Sequence, residues 1–256
     1  MAKPFLLTTS WDDGSLHDLR LAELLAKYGL PGTFYVPLSN SRPTLSNAQI
    51  RGLSRQFEIG AHTVSHVPLR GLTTSQARQE IADSKKWLED ILGKPCSIFC
   101  FPGGGYARIH LQLLREAGFV AARTVELLSL QRPRTGHGIA LIPTTLQAYP
   151  HRASSYFRNA AKRLSVEGVW NLLRGSRARG WPAFAEILLE RAADVGGVFH
   201  LWGHSWEIEE NGQWRVLDEA LAAISEYRKC ASLLTNMELC CDVGKTADNP
   251  RTALVS

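Results

Sequence analysis

The stretch TTSWDDGSLHD, Thr8 to Asp18, closes an apolar run that begins at Phe5 with two adjacent carboxylates, Asp12 and Asp13, and then Gly14. Like charges side by side repel, and a buried pair is costly unless a cation or a shared proton compensates. The next residues read as a helix: Leu21, Leu24, Leu25 and Tyr28 share one stripe, with Asp18 as N-cap, Gly29 as the stop and Pro31 just beyond. A strand ending in carboxylates and feeding a helix is the first unit of a β/α repeat.

The same alternation continues outward. Strands are predicted at Phe5–Trp11, Thr33–Val36, Phe57–Ala61, Ser97–Phe101, Val120–Thr124, Ile139–Ile142, Val198–Trp202 and Ala231–Thr235, with helical stretches between them. The helix from Thr73 opens on a capping box with Gln76 and turns Ala77, Ile81, Ser84, Leu88 and Ile91 inward. The simplest architecture is α/β and single-domain, a barrel of seven or eight parallel strands with its site where strand C-terminal ends gather.

Composition bounds the function. The chain has 256 residues and 45% apolar content, enough for a full core. Its longest apolar runs are too short to span a bilayer, and no basic leader precedes an apolar stretch, so a cytoplasmic location is expected. Five cysteines without a C-x-x-C pair argue against a disulfide framework; Cys96, Cys100, Cys240 and Cys241 read as buried small hydrophobes. The net charge of +5 is concentrated: seven Lys or Arg residues lie between Arg152 and Arg179 against the single acid Glu167. No nucleic-acid reading motif accompanies this segment, so a nucleic-acid partner is not expected.

A second polar constellation succeeds another strand. Phe57–Ala61 runs into His62-Thr63-Val64-Ser65-His66, and two histidines four apart on a helical turn can reach one divalent metal. Asp13 would complete a two-histidine, one-carboxylate set with open positions.

These motifs resemble those of the polysaccharide deacetylases. Ser10-Trp11-Asp12-Asp13-Gly14 is similar to the family's T-F-D-D-G, His62-Thr63-Val64-Ser65-His66 to its H-S/T-x-x-H, and Gly32-Thr33-Phe34-Tyr35-Val36-Pro37 to its second strand. The match in order runs from about Phe5 to Gly118 and resumes near Val198. The resemblance implies a distorted (β/α) barrel spanning 1–242, a divalent metal, most simply Zn²⁺, on Asp13, His62 and His66, and Asp12 as catalytic base. It also implies a late histidine acid, for which His204 has the right place. His200 points to the same side but lies roughly 13 Å deeper at ~3.3 Å per residue, and reads as structural. Glu207 could orient His204, although a solvated acid at a helix start is the simpler reading.

Two departures stand out. The family's R-P-P-Y-G becomes Cys100-Phe101-Pro102-Gly103-Gly104-Gly105-Tyr106, so the arginine that pairs with the base is replaced by Cys100. Its Asp-Trp pair, which supports the catalytic histidine, has no counterpart between Arg123 and Pro143. Pro102, Gly103, Gly104, Tyr106, Trp202 and Trp206 are the expected substrate contacts. The expected activity is hydrolysis of an amino sugar's N-acetyl group on a polysaccharide, oligosaccharide, or lipid- or nucleotide-linked glycan. A same-fold hydrolase of a non-sugar amide or cyclic imide, and an idle glycan-binding module, are the alternatives. The basic helical insertion, about 150–182, mixes cations with aromatic residues as a surface for an anionic membrane would. The tail 243–256 is expected to be disordered.

Overall fold

The computed structural model describes residues 5–151, 153–162, 166–175 and 178–247. Within them the chain runs β1 (Phe5–Asp12), α1 (Asp18–Tyr28), β2 (Thr33–Val36), α2 (Asn47–Leu53), β3 (Glu58–Ala61), α3 (Thr74–Leu92), β4 (Ile98–Cys100), α4 (Arg108–Glu116) and β5 (Ala121–Arg123). It continues through β6 (Arg134–Gly136), β7 (Ile139–Ile142), β8 (Leu146–Gln147), α5 (Ala153–Lys162), α6 (Val166–Gly175), α7 (Gly180–Val195) and β9 (Val198–Gly203). The last elements are α8 (Ser205–Glu210), α9 (Trp214–Ser225), β10 (Ala231–Leu233) and α10 (Asn236–Ala247).

All eight expected strands form, and β6 and β8 join them. The order is β6-β7-β5-β4-β3-β2-β1-β9-β8, with every pairing parallel except the β6–β7 hairpin. The sheet curls into a partial barrel. Between its two ends runs the segment 126–130, whose Leu128 and Ser129 N–H groups donate to the carbonyls of Thr145 and Thr144, while Val198 N–H donates to Leu130. Strand β1 holds the centre: it pairs with β10 through Phe5–Leu7, with β2 through Ser10–Asp12, and with β9 along Leu6–Trp11.

Strand parity decides which side chains face the concave surface. One buried cluster takes Leu6, Tyr35, Ile98, Cys100, Ala121, Ile142 and Val198, closed below by Leu239 of α10. The residues between them, among them Leu7, Phe34, Phe99, Ala122 and Phe199, join the larger core under the helices. Counting on by twos along the inner face reaches Asp12 from Leu6, Arg123 from Ala121, and His204 from Val198. Gly60 keeps the same parity in β3, where a Cβ would meet the Tyr35 ring at 2.5 Å; two residues on is His62. A period of two thus delivers these side chains to one rim.

The helices obey their sequence signals with three corrections. The Thr73–Gln76 capping box and the inward residues of α3 are as expected, and Gly29 ends α1 in the left-handed region. Asp18, however, is not the N-cap: the helix starts on it after His17, and its side chain is buried against Ser205 Oγ at 2.5 Å. A hydroxyl on α8 outcompetes the local cap. The expected helix Ser154–Leu173 is described as two, α5 and α6. α10 runs on to Ala247, so the first residues of the expected disordered tail are helical, while 248–256 lie outside the described residues. Cys96 and Cys100 are buried as expected, but Cys241 is exposed on α10.

Candidate active site

The two motif loops carry unusual backbone. Five non-glycine residues have positive φ among those described, and three of them are Asp13 (80°), Thr63 (65°) and His66 (51°). Such conformations persist where surrounding structure imposes them, and they gather at functional sites. They also correct one expectation. Residues 62–66 form a loop and not a helical turn, because left-handed residues at 63 and 66 interrupt any helix. The two rings still meet, with centroids 4.9 Å apart.

Asp13, His62 and His66 offer ligand atoms that all lie within 4.8 Å of one another. His66 Nε2 is 2.8 Å and His62 Nε2 3.5 Å from Asp13 Oδ1. His62 is oriented from behind: its Nδ1 lies 2.8 Å from the Cys100 carbonyl, which can only accept, so Nδ1 carries the proton and Nε2 presents a lone pair. A lone pair facing a carboxylate is repulsive without a cation between them. Asp13 Oδ1 is buried without a linear hydrogen bond among the described residues, and Trp206 Nε1 donates to Oδ2 at 2.8 Å. This donor set fits a divalent cation. A second grouping, Asp12, His62 and Cys100, fits poorly. Burial pushes the Cys100 thiol well above its ordinary range, and Asp12 already has another partner.

That partner is Arg123. Its Nη2 pairs with Asp12 Oδ2, and both side chains are buried. The expectation that the base lacks a cation is therefore corrected: the guanidinium comes from β5 instead of β4. In register, Cys100 is the neighbour of Arg123, so the charge stands one strand across from the position where the resemblance implied it. Cys100 Sγ occupies the vacated side, 3.7 Å from Asp12 Oδ2. Burial opposes ionisation of Asp12, but the Arg123 guanidinium outweighs it and holds its carboxyl below the usual range. Arg123 lies against the faces of Trp202 and Tyr35, with centroid distances of 4.6 and 5.5 Å. A full charge in the strand Val120–Thr124 was the available signal, since arginine is rarely buried without a partner.

His204 comes directly after β9 with its Nε2 3.9 Å from Asp13 Oδ2 and its Nδ1 2.7 Å from Glu207 Oε2. Glu207 is thus not a solvated acid; it supports the histidine. Burial disfavours the His204 cation, but the Glu207 hydrogen bond and the carboxylates of Asp12 and Asp13 win, and its pKa is raised. His200 is different. It is fully buried between Ser10 Oγ and the Pro143 carbonyl, both at 2.9 Å, and burial together with the Arg123 cation lowers its pKa to about 3. It is a neutral structural residue, not an acid.

The expected substrate contacts divide. Trp206 touches the centre through Asp13 and packs against His204, its other neighbour being Arg42 at 3.9 Å from the ring. Trp202 is only 6% exposed, covers Arg123, and offers no open face for stacking. Pro102, Gly103 and Gly104 form a tight turn after β4, where a Cβ on Gly104 would stand 2.0 Å from Val125. Tyr106 stacks on Phe101 at 4.6 Å, and its carbonyl receives Arg70. These four shape the rim beside the turn that carries the Cys100 carbonyl. Glu80 of α3 was not anticipated. It accepts from the N–H groups of Val64 and Ser65 at 2.8 and 3.0 Å and from Ser65 Oγ at 2.5 Å, pinning the histidine loop.

With this geometry in place, the chain was compared with known proteins. Residues 2–122 match the family model described as Polysaccharide deacetylase. A curated relative from Bacillus subtilis, "Putative polysaccharide deacetylase YxkH", is 26% identical over 144 residues, 51% of this chain. The match spans about half of that relative, 52% of its length. Among solved structures, the "putative polysaccharide deacetylase from Mycobacterium smegmatis" superposes with a TM-score of 0.69 at 18% identity, covering 100% of this chain and 96% of that one. The chitin deacetylase of Colletotrichum lindemuthianum gives 0.59 at 17% identity, covering 93% and 88%. At such identities these two structures establish a common fold.

Proposed function

We propose, from the premise that residues 2–122 belong to the polysaccharide deacetylase family, that the protein is a metal-dependent hydrolase that removes the N-acetyl group of an amino sugar. One observation carries the reading. A carboxylate held by Arg123, Asp12, and an imidazole braced by Glu207, His204, flank the Asp13, His62 and His66 cluster. Hydrolysis of an amide needs that pair: a base to take a proton from water and an acid to give one to the departing amine. Asp12 Oδ1 is buried and accepts no hydrogen bond among the described residues, so it is available for the proton. Arg123 keeps the carboxylate in place and charged. His204 donates from Nδ1 to Glu207 and presents Nε2 to the centre, and its cationic form carries there the proton for the departing amine. A divalent cation on Asp13, His62 and His66, zinc by the nitrogen and oxygen donors, supplies Lewis acidity toward the acetyl carbonyl.

The presence of Arg123 and Glu207 weighs against an idle binding module, which has no use for a tuned base and acid. The test is acetate release from a panel of N-acetylated and O-acetylated sugars, with metal content measured on the same protein. Asp12→Asn should retain metal and lose turnover by a factor of about 10² to 10⁴, whereas Asp13→Asn should lose metal first. The reverse pattern would exchange their roles, and activity confined to O-acetyl esters would replace the amide reading.

We also propose a cytoplasmic location, which the five free cysteines fit, and peripheral contact with an anionic membrane through α6. Val166, Trp170 and Leu173 lie along that helix 72%, 61% and 58% exposed, beside the exposed Arg174. No helix among the described residues is long and apolar enough to cross a bilayer.

A further inference from the structure

Behind His204 a chain of polar contacts leads away from the metal cluster. Glu207 Oε2 accepts from His204 Nδ1 at 2.7 Å and from Gln147 Nε2 at 2.8 Å. Gln147 Oε1 lies 2.7 Å from His151 Nε2. An amide oxygen cannot donate, so His151 carries its proton on Nε2. Burial lowers the His151 pKa, which keeps the ring neutral and leaves Nδ1 as an acceptor.

His151 is also part of the wall of a cavity of about 180 Å³. Tyr149, Tyr156, Leu172, Ala178, Trp181 and Phe184 also line it, in the part of the chain beyond the family match. Its rings form a ladder, with centroid distances of 4.8 Å from Tyr149 to His151, 5.4 Å on to Tyr156 and 5.5 Å to Phe184. Gln147 pairs in register with Trp202 of β9, and the Ala148 N–H donates to the Trp202 carbonyl. Residues 149–151 therefore leave the sheet on the same rim as His204, two residues after Trp202. A space of this size holds one six-membered ring; a cavity of about 150 Å³ is enough for benzene. Aromatic walls suit the C–H faces of a pyranose, while the His151 acceptor and the tyrosine hydroxyls suit its hydroxyl groups.

We propose that this cavity is a subsite for a pyranose ring linked to the acetylated sugar, and that Gln147 and His151 are positioning residues that couple its occupancy to His204. A ring that hydrogen-bonds His151 fixes Gln147, which fixes Glu207, which holds the imidazole toward the leaving amine. The proposal rests on the deacetylase reading for the chemistry but not for the binding. N-acetylglucosamine and its β-1,4-linked dimer serve as probes, by calorimetric titration of the metal-loaded protein and by acetate release. The dimer should bind about tenfold more tightly than the monosaccharide. Ala178→Phe, which fills the cavity, should erase that advantage while changing monosaccharide affinity less than about twofold. Gln147→Leu should reduce kcat on the dimer to that on the monosaccharide with KM within about twofold, and Gln147→Asn, which keeps an amide donor and acceptor, should restore part of it. Equal affinity for the two sugars in the wild type, an unchanged advantage in Ala178→Phe, or an equal kcat loss on both sugars in Gln147→Leu would overturn the proposal. Cavity-dependent binding of the dimer without acetate release from either sugar would leave the subsite standing and remove the deacetylase reading.

Discussion

Arg123 shows how one residue can do a neighbour's work. A carboxylate as buried as Asp12 needs a cation for its charge, and the guanidinium can reach it from either of two adjacent inner-face positions, 100 or 123. Arg123→Ala should cost at least 10²-fold in kcat and destabilise the fold by about 3 kcal/mol or more, because it strands a buried charge. The double variant Cys100→Arg, Arg123→Ala should regain much of both, read by acetate release and thermal unfolding. No regain would mean that the strand of origin matters as well as the charge. His200 makes a separate prediction about acid. Its folded pKa of about 3 lies below the ordinary value of 6.5, so the folded protein binds fewer protons than the unfolded chain between those values. Its contribution to stability is complete above pH 6.5 and is lost as pH falls toward 3. His200→Gln should flatten the decline of the melting temperature across that window; an unchanged decline would assign acid sensitivity elsewhere.

At the level of elements, the motif that names the metal histidines does not by itself place them. Their loop is held by a carboxylate on α3, since Glu80 takes up the N–H groups of Val64 and Ser65. Glu80→Ala should lower zinc affinity about 10- to 100-fold, measured against a competing chelator, while Glu80→Asp should recover part of it. Unaltered affinity in Glu80→Ala would show that the strand end alone sets the geometry. The strands were legible because each is an apolar run between turn residues, and period two told which ends face inward. β6 and β8 were not: three residues of Arg-Thr-Gly and two of Leu-Gln carry no periodicity to read. The metal set and base were legible from strand-end polar pairs and the resemblance. Arg123 escaped notice because its partner is distant in sequence, and Glu207, although three residues from His204, reads equally as a solvated acid at a helix start until the turn between them is seen.

For the whole molecule, the polar centre lies at one rim of a curled sheet, and the basic helices beyond 150 add a second surface. If α6 meets an anionic bilayer, vesicles containing phosphatidylserine should sediment the protein, and Trp170→Ser with Arg174→Gln should weaken this about tenfold, as should raised salt. Neutral vesicles should bind poorly. Identical sedimentation with neutral and anionic vesicles, or no loss in the double variant, would return α6 to the role of a solvated helix.

The pairing of β1 with both β9 and β10 has a consequence in time. A nascent chain emerges N-terminus first, so the carboxylates of β1 and the histidines after β3 leave the ribosome long before the strands that flank β1 and the histidine at the end of β9. Until then β1 has an unsatisfied edge, and the early half of the protein holds ligands for a metal without the walls to shield them. Assembly of the centre is therefore a late, non-local event, expected to be slow for the chain's size and to draw on chaperones. Pulse-labelled protease protection of stalled chains should find residues 1–122 unprotected until the sequence through Leu233 has been released.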